Sequence, residues 1–173
     1  MKQKIFFSVM LILAVLAAAV GCSAPAPDYS AQEILDAIKA AYGDDYLPET
    51  ALSQEELAQA FGLDMSLVED FAAEMPMISF HPDRVVIIKA VEGQGEAVEQ
   101  ALTSARENLL ENAFFYPANL PKVNASKVVR NGDYVAFLMV GAVDDVSQTE
   151  EEMAQFAEAE VQKGVDAFNA LFA

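Results

Sequence analysis

SKVVRNGDYVAFLMVGAV, residues 126–143, is the stretch that decides the fold. Asn131-Gly132 is the strongest short signal for a hairpin, because the tightest turns between antiparallel strands need residues that tolerate positive φ. The spacing predicts a strand over Ser126 to Arg130 and a second over Tyr134 to Val143. The second strand has almost no polar side chain on either side. A strand with one wet face alternates apolar and polar residues; this one does not, so both faces of its sheet are expected to be covered. Val85 to Val91 has the same character, interrupted only by Lys89.

Working outward, Met77 to Phe80 reads as a strand joined to 85–91 by a turn at His81-Pro82-Asp83-Arg84. Gly93-Gln94-Gly95 breaks the chain. Glu96 to Phe115 then has helical period, with Val98, Ala101, Leu102, Ala105, Leu109 and Ala113 recurring on one face. Pro117 and Pro121 bound a loop. Thr149-Glu150-Glu151-Glu152 is a capping box, and Met153, Phe156, Ala157, Val161, Val165, Phe168 and Phe172 form the stripe of a last helix. Upstream, the boxes Ser30-Ala31-Gln32-Glu33 and Ser53-Gln54-Glu55-Glu56 open two helices, stopped at Gly43 and Gly62. Leu63 to Glu74 reads as a further short helix, with Leu67, Val68 and Phe71 inward. The expected fold is therefore α+β: an antiparallel four-stranded sheet in the order ββαββα, with the two long helices on one face. The short N-terminal helices, rather than a second copy of the chain, are expected on the other. Residues 31–173 read as one domain, with a helical part over 31–75 and a sheet part over 76–173.

The 173 residues include 10 basic and 27 acidic ones. Such a surface repels phosphate polymers and anionic headgroups, which excludes nucleic-acid binding and leaves cations or a basic protein or envelope partner. Residues 1–21 hold none of the acids. Lys2 and Lys4, an apolar run from Ile5 to Val20 and the small residues Ala17, Ala18, Ala19 and Gly21 have the layout of a signal peptide. It ends in Ala19-Val20-Gly21-Cys22, which resembles the bacterial lipobox, with Ala19 where that motif usually has Leu. Cys22 is the only cysteine, so it has no disulfide partner within the chain. The resemblance implies cleavage before Cys22, a diacylglyceryl group on its sulfur and acylation of the new amino group. Two or more chains give stable attachment, at about 0.8 kcal/mol per buried methylene. A plain signal peptide cut near Ala24 would make the cysteine's placement a coincidence. Residues 22–30, with Ala24-Pro25-Ala26-Pro27, read as a short stiff tether. The expected location is the outer face of the membrane, lipid-anchored.

Few residues carry chemistry. His81 is the only histidine and has no histidine or free cysteine to work with. A Ser-His-Asp triad lacks a nucleophile-elbow pattern. His81-Pro82-Asp83 copies a chaperone-partner tripeptide but sits between strand-like runs rather than two helices. Met75 and Met77 could offer soft ligands but read as core. Asp44-Asp45, Asp144-Asp145 and Glu150-Glu151-Glu152 read as solvated faces and helix-dipole acids. Glu92-Gly93-Gln94-Gly95 lacks the ending of a phosphate loop and reads as a strand-to-helix turn.

Phe61-Gly62-Leu63-Asp64, Val86 to Gly93 and Asn131 to Val135 resemble an uncharacterised family of Gram-positive lipoproteins that carry a domain of unknown function, over roughly residues 31–172. The resemblance implies extracytoplasmic anchoring and one small mixed domain. It brings no catalytic residue, metal or cofactor, and only the lipidation position at Cys22 carries over. The expected function is a lipid-anchored binding or interaction module. An envelope hydrolase using carboxylates and a weak cation binder are the alternatives.

Overall fold

The structure is a computed structural model and describes residues 28–77, 81–112 and 114–173. The signal peptide expected over 1–21, Cys22 and the tether up to Pro27 lie outside the described residues. In chain order the elements are α1 (Ala31–Tyr42), β1 (Thr50–Ala51), α2 (Gln54–Phe61), β2 (Val68–Met75), β3 (Arg84–Ala90), α3 (Gly95–Asn112), α4 (Leu120–Ala125), β4 (Lys127–Asn131), β5 (Tyr134–Met139) and α5 (Glu150–Ala170). The strands form one open antiparallel sheet in the order β1-β2-β3-β5-β4.

The sheet has five strands where four were expected, and it begins at Thr50, inside the stretch expected to be helical. The reading of Leu63 to Glu74 as a helix is corrected: a single 3-10 turn, Met65–Leu67, leads into β2. Leu67, Val68 and Phe71 have helical spacing, but β2 lies between β1 and β3, and its backbone bonds go to both. With both faces covered, period-two alternation is erased, and Ala72 and Ala73 are both buried. Strand β2 also takes the pairing expected for 77–80: Glu74 lies opposite Val85. Met77 is an exposed bend, and 78–80 lie outside the described residues. The loop expected around Pro117 and Pro121 contains a 3-10 turn, Pro117–Asn119, and the short α4, whose first turn accepts Pro121 because the missing N–H has no intrahelical partner there.

Both faces are covered, as the apolar strands require. Val85 and Ile87 of β3, with Ala136 and Leu138 of β5, pack under Ile34, Leu35 and Ile38 of α1 and Val161, Val165 and Phe168 of α5. Val86 and Ile88, with Val135, Phe137 and Met139, pack under Leu57 and Phe61 of α2 and Val98 and Leu102 of α3. The two long helices, α3 and α5, thus lie on opposite faces, which corrects the expected shared face. Five strands about 4.8 Å apart span about 20 Å, the width of two helices of about 10 Å. One long and one short helix on each side meet that need.

All three capping boxes form, at Ser30 with Glu33, Ser53 with Glu56 and Thr149 with Glu152. Asp70 of β2 accepts the Ala31 amide at 2.8 Å, and Lys39 of α1 pairs with Glu74 of β2 at 3.0 Å. The chain enters the domain at the other end of the sheet from the start of β3. There Lys89 donates to Asp28 at 2.9 Å, the Tyr29 amide donates to the Tyr134 hydroxyl at 3.0 Å, and the Tyr29 hydroxyl donates to the Leu171 carbonyl at 3.1 Å. Phe172 closes the cluster, its ring edge-on to Tyr29. Among the described residues no helix is long and apolar enough to cross a membrane.

Candidate functional site

The end of the sheet where β3 begins and β5 finishes concentrates the buried charge. Asp83, just before β3, has no exposed surface. Its Oδ1 accepts from Lys122 of α4 at 2.8 Å, and the same ammonium donates to the Gly141 carbonyl at 2.7 Å. Burial pushes the Asp83 carboxyl above its ordinary range, against the opposing pull of Lys122, His81 and the Gly141 amide. Its Oδ2 has no hydrogen-bond partner among the described residues. Nδ1 of His81 accepts the Asp83 amide at 3.4 Å and lies 3.5 Å from Asp83 Oδ1, a contact that becomes an ion pair only when the ring is protonated.

A second buried acid, Glu160, braces the same end from α5. Its carboxylate accepts the Ala142 amide at 3.0 Å and an ammonium hydrogen of Lys163. Gly141 has a φ of +157°, and a Cβ there would lie 2.5 Å from the Glu160 Cβ, so the backbone approach requires glycine. The Tyr42 hydroxyl donates to the Glu160 carbonyl at 2.8 Å and accepts from the Gly164 amide at 3.0 Å; burial pushes it well above the usual phenol range. These contacts weld α1, α5 and the segment after β5 together.

Above this buried layer lies a cavity of about 180 Å3, lined by His81, Pro121, Lys122, Asp144, Met153 and Phe156 among others. It opens into a trough between residues 117–125 and the first half of α5, which shares Pro121 and Met153 with it and adds Leu120, Glu150 and Glu158. Leu120 and Val143 at its edges are 44% and 64% exposed. The trough is apolar inside and acidic at its rim.

Its chemistry is that of a recess. Asp144 is the one acid lining the cavity, and no serine, threonine or cysteine lines it among the described residues. Glu150 and Glu158 stand eight residues apart on α5, about 12 Å along its axis, too far to share a reacting bond. Asp83 and Glu160 are committed to Lys122 and to the Ala142 amide.

A family model described as Domain of unknown function (DUF4358) matches residues 41–140, more than half of the chain. The chain belongs to the DUF4358 family. The DUF4358 segment holds all five strands and the cavity floor of His81, Pro82 and Lys122. The outer wall, Asp144, Met153 and Phe156, lies beyond it. The match is shorter than the expected 31–172. No curated protein and no solved structure matches the DUF4358 chain.

Of the singled-out residues, the structure brings His81 and Asp83 together with Lys122, and sets Asp144 on the cavity they floor. Sequence reasoning missed Lys122, which fell in an expected loop. It also missed Glu160, although that acid interrupts the apolar stripe between Ala157 and Val161 and so signals a buried partner. The remaining motifs have local roles. Asp44 and Asp45 are exposed on a 3-10 turn. Asp133 accepts the Gly93 and Gly95 amides, both at 3.0 Å, so its carboxylate fills the place an anion would take at that turn. Among the described residues no three His, Cys, Asp or Glu side chains converge as metal ligands. Cys22 lies outside the described residues.

Proposed function

We propose that this DUF4358 protein is a lipid-anchored extracytoplasmic binding module, held to the membrane through Cys22 and taking up an apolar segment that carries lysine or arginine side chains. The trough between residues 117–125 and α5 carries the binding reading. Its interior is apolar, Glu150 and Glu158 line it, and Asp144 lines the cavity that adjoins it. Charge complementarity makes the occupant basic, since the chain has 27 acidic residues against 10 basic ones. The anchoring reading is supported by Ala19-Val20-Gly21-Cys22 after a basic and apolar leader.

Two measurements test it. Cys22→Ala is expected to abolish fatty-acid labelling and release the chain from the membrane fraction; retention with no label on the wild type refutes the anchor. In fluorescence anisotropy, a labelled amphipathic leucine–lysine peptide is expected to bind the full chain in a salt-dependent way, and Met153→Glu to weaken it at least tenfold. Equal binding of a leucine–glutamate peptide refutes the proposed partner chemistry.

A further inference from the structure

Strand β4 is a free edge of the sheet, paired with β5 alone. Asn131 lies opposite Tyr134 across two turn residues, so this closing pair exchanges backbone bonds, and the alternation carries on to Val129 with Ala136 and Lys127 with Leu138. Val128 and Arg130 therefore turn their N–H and C=O groups away from β5. Among the described residues no hydrogen bond reaches these groups. The opposite edge is protected. A register shift between Val68 and Asp70 breaks its regularity, β1 covers its end, and the Asp70 carboxylate takes the Phe71 and Ala31 amides at 2.9 and 2.8 Å.

The bare edge lines a groove of about 550 Å3, together with Thr103 and Arg106 of α3, Ser126 and Glu158 of α5. Helices α3 and α5 lie on opposite faces of the sheet, so a groove that touches both runs across its edge. Its charge sets it apart from the rest of the chain. Among the described residues Arg106 and Lys127 pair with no carboxylate, whereas every other lysine and arginine does, save Arg84, next to Asp83 in the chain. Two unpaired cations thus share the groove with the acid Glu158, in a chain of 27 acidic and 10 basic residues. The cations stand on opposite sides of the strand. Arg106 donates from the α3 side to the Ser126 carbonyl at 2.7 Å and the Asn124 carbonyl at 3.0 Å, and Lys127 reaches Gln162 of α5 at 2.6 Å.

We propose that the β4 edge takes up an extended acidic segment of another polypeptide as an added strand, with two neighbouring carboxylates meeting Arg106 and Lys127. Successive side chains of a strand point to opposite faces, so adjacent acids straddle the sheet as the two cations do. The open N–H and C=O groups of Val128 and Arg130 supply the backbone bonds. A second copy of the chain fits less well, because two-fold pairing of β4 with itself brings the Arg106 and Lys127 of both copies to one seam. The groove borders the trough at Asn124, Ala125 and Glu158, yet its occupant has the opposite charge and uses a different wall.

Fluorescence anisotropy with the full chain in detergent tests this, using a labelled valine–threonine peptide that carries two adjacent glutamates, and its glutamine and lysine versions. The glutamate peptide is expected to saturate one site at least tenfold more tightly than either. N-methylation of one alternate set of peptide amides, those facing β4, is expected to abolish binding, and methylation of the other set to leave it. Lys127→Gln is expected to weaken the glutamate peptide about fivefold, the upper end for an exposed ion pair, with the melting temperature in place. Val128→Pro removes an outward N–H and no bond to β5, and is expected to abolish binding. Met153→Glu, in the trough, is expected to change nothing. A glutamine peptide that binds as tightly overturns the acidic partner, and equal binding of the two methylated sets overturns the added strand. A wild-type dimer that Val128→Pro dissociates assigns the edge to a second copy and overturns the proposal. No saturable binding of the glutamate peptide overturns it too, while the leucine–lysine peptide decides the trough separately.

Discussion

Replacing Lys122 with methionine tests the buried charge layer directly. Asp83 is wholly enclosed, and the Lys122 ammonium pairs with it at 2.8 Å. Methionine fills much of the same volume but leaves Asp83 without its ammonium donor and the Gly141 carbonyl without the bond at 2.7 Å. Removing one partner of a buried pair destabilises by about 3–5 kcal/mol. At about 2–4 °C per kcal/mol for a chain of this size, the melting temperature should fall by about 10 °C. The loss should depend on pH. The folded-state pKa of Asp83 is already raised above 3.8 by burial, and losing Lys122 raises it further. A raised carboxyl means that the folded state holds the proton where the unfolded state has lost it, so stability falls as pH rises through that window. The deficit of Lys122→Met should therefore be largest at pH 7 and shrink towards pH 4, where Asp83 is protonated in the folded variant. Adding Asp83→Asn should restore most of the loss at pH 7. Thermal unfolding followed by circular dichroism at the two pH values gives the comparison. A deficit below about 1 kcal/mol, or one equal at both pH values, refutes the reasoning, since 1 kcal/mol is the ordinary effect of a surface pair.

Four other substitutions follow from the structure. Gly141→Ala should destabilise by about 2–3 kcal/mol in urea unfolding, because its Cβ meets Glu160. Gly132→Ala, at a φ of +59° with open space around it, should lose only about 1 kcal/mol. Thr149→Ala removes the hydroxyl that accepts the Glu152 amide at the start of α5 and should destabilise by about 1 kcal/mol, read in the same denaturant titration. Phe137→Ala opens the core beside Phe61, 5.5 Å away between ring centres, and should destabilise by about 3–5 kcal/mol.

Features set by neighbours in the chain were readable from the letters alone. Ser30 with Glu33, Ser53 with Glu56 and Thr149 with Glu152 satisfy helix-end amides three residues away, and the expected hairpin forms, its two turn residues being Gly132, at a φ of +59°, and Asp133, between the paired Asn131 and Tyr134. The covered sheet was readable too, since Val85 to Ile88 and Val135 to Met139 leave no side for water. Strand β2 was not. Its identity depends on hydrogen bonds to Thr50 and Ala51 on one side and β3 on the other, and no local pattern records them. The distribution of helices over the faces was hidden for the same reason, because an amphipathic stripe says that a helix is buried and not where. In the site, His81 and Asp83 stood out as polar letters between apolar runs. Lys122 gave no sign, because its role comes from α4 folding back over the end of β5. Asp144 read as one of a solvated pair, and its place on the cavity depends on how the segment after β5 meets α5.

The contacts at Asp28 and Tyr29 give the domain a top and a bottom. They clamp the incoming chain beside Leu171, eighteen residues along α5 from Met153, which at 1.5 Å per residue is about 27 Å from the recess. Five residues separate Asp28 from Cys22, and the six steps between them reach at most about 20 Å. A molecule tied to a bilayer by that cysteine would stand with its clamp towards the lipid and its mouth towards the surroundings, out of range of its own acyl chains. Visitors would then arrive from the aqueous side, already sorted by charge before they touch the protein.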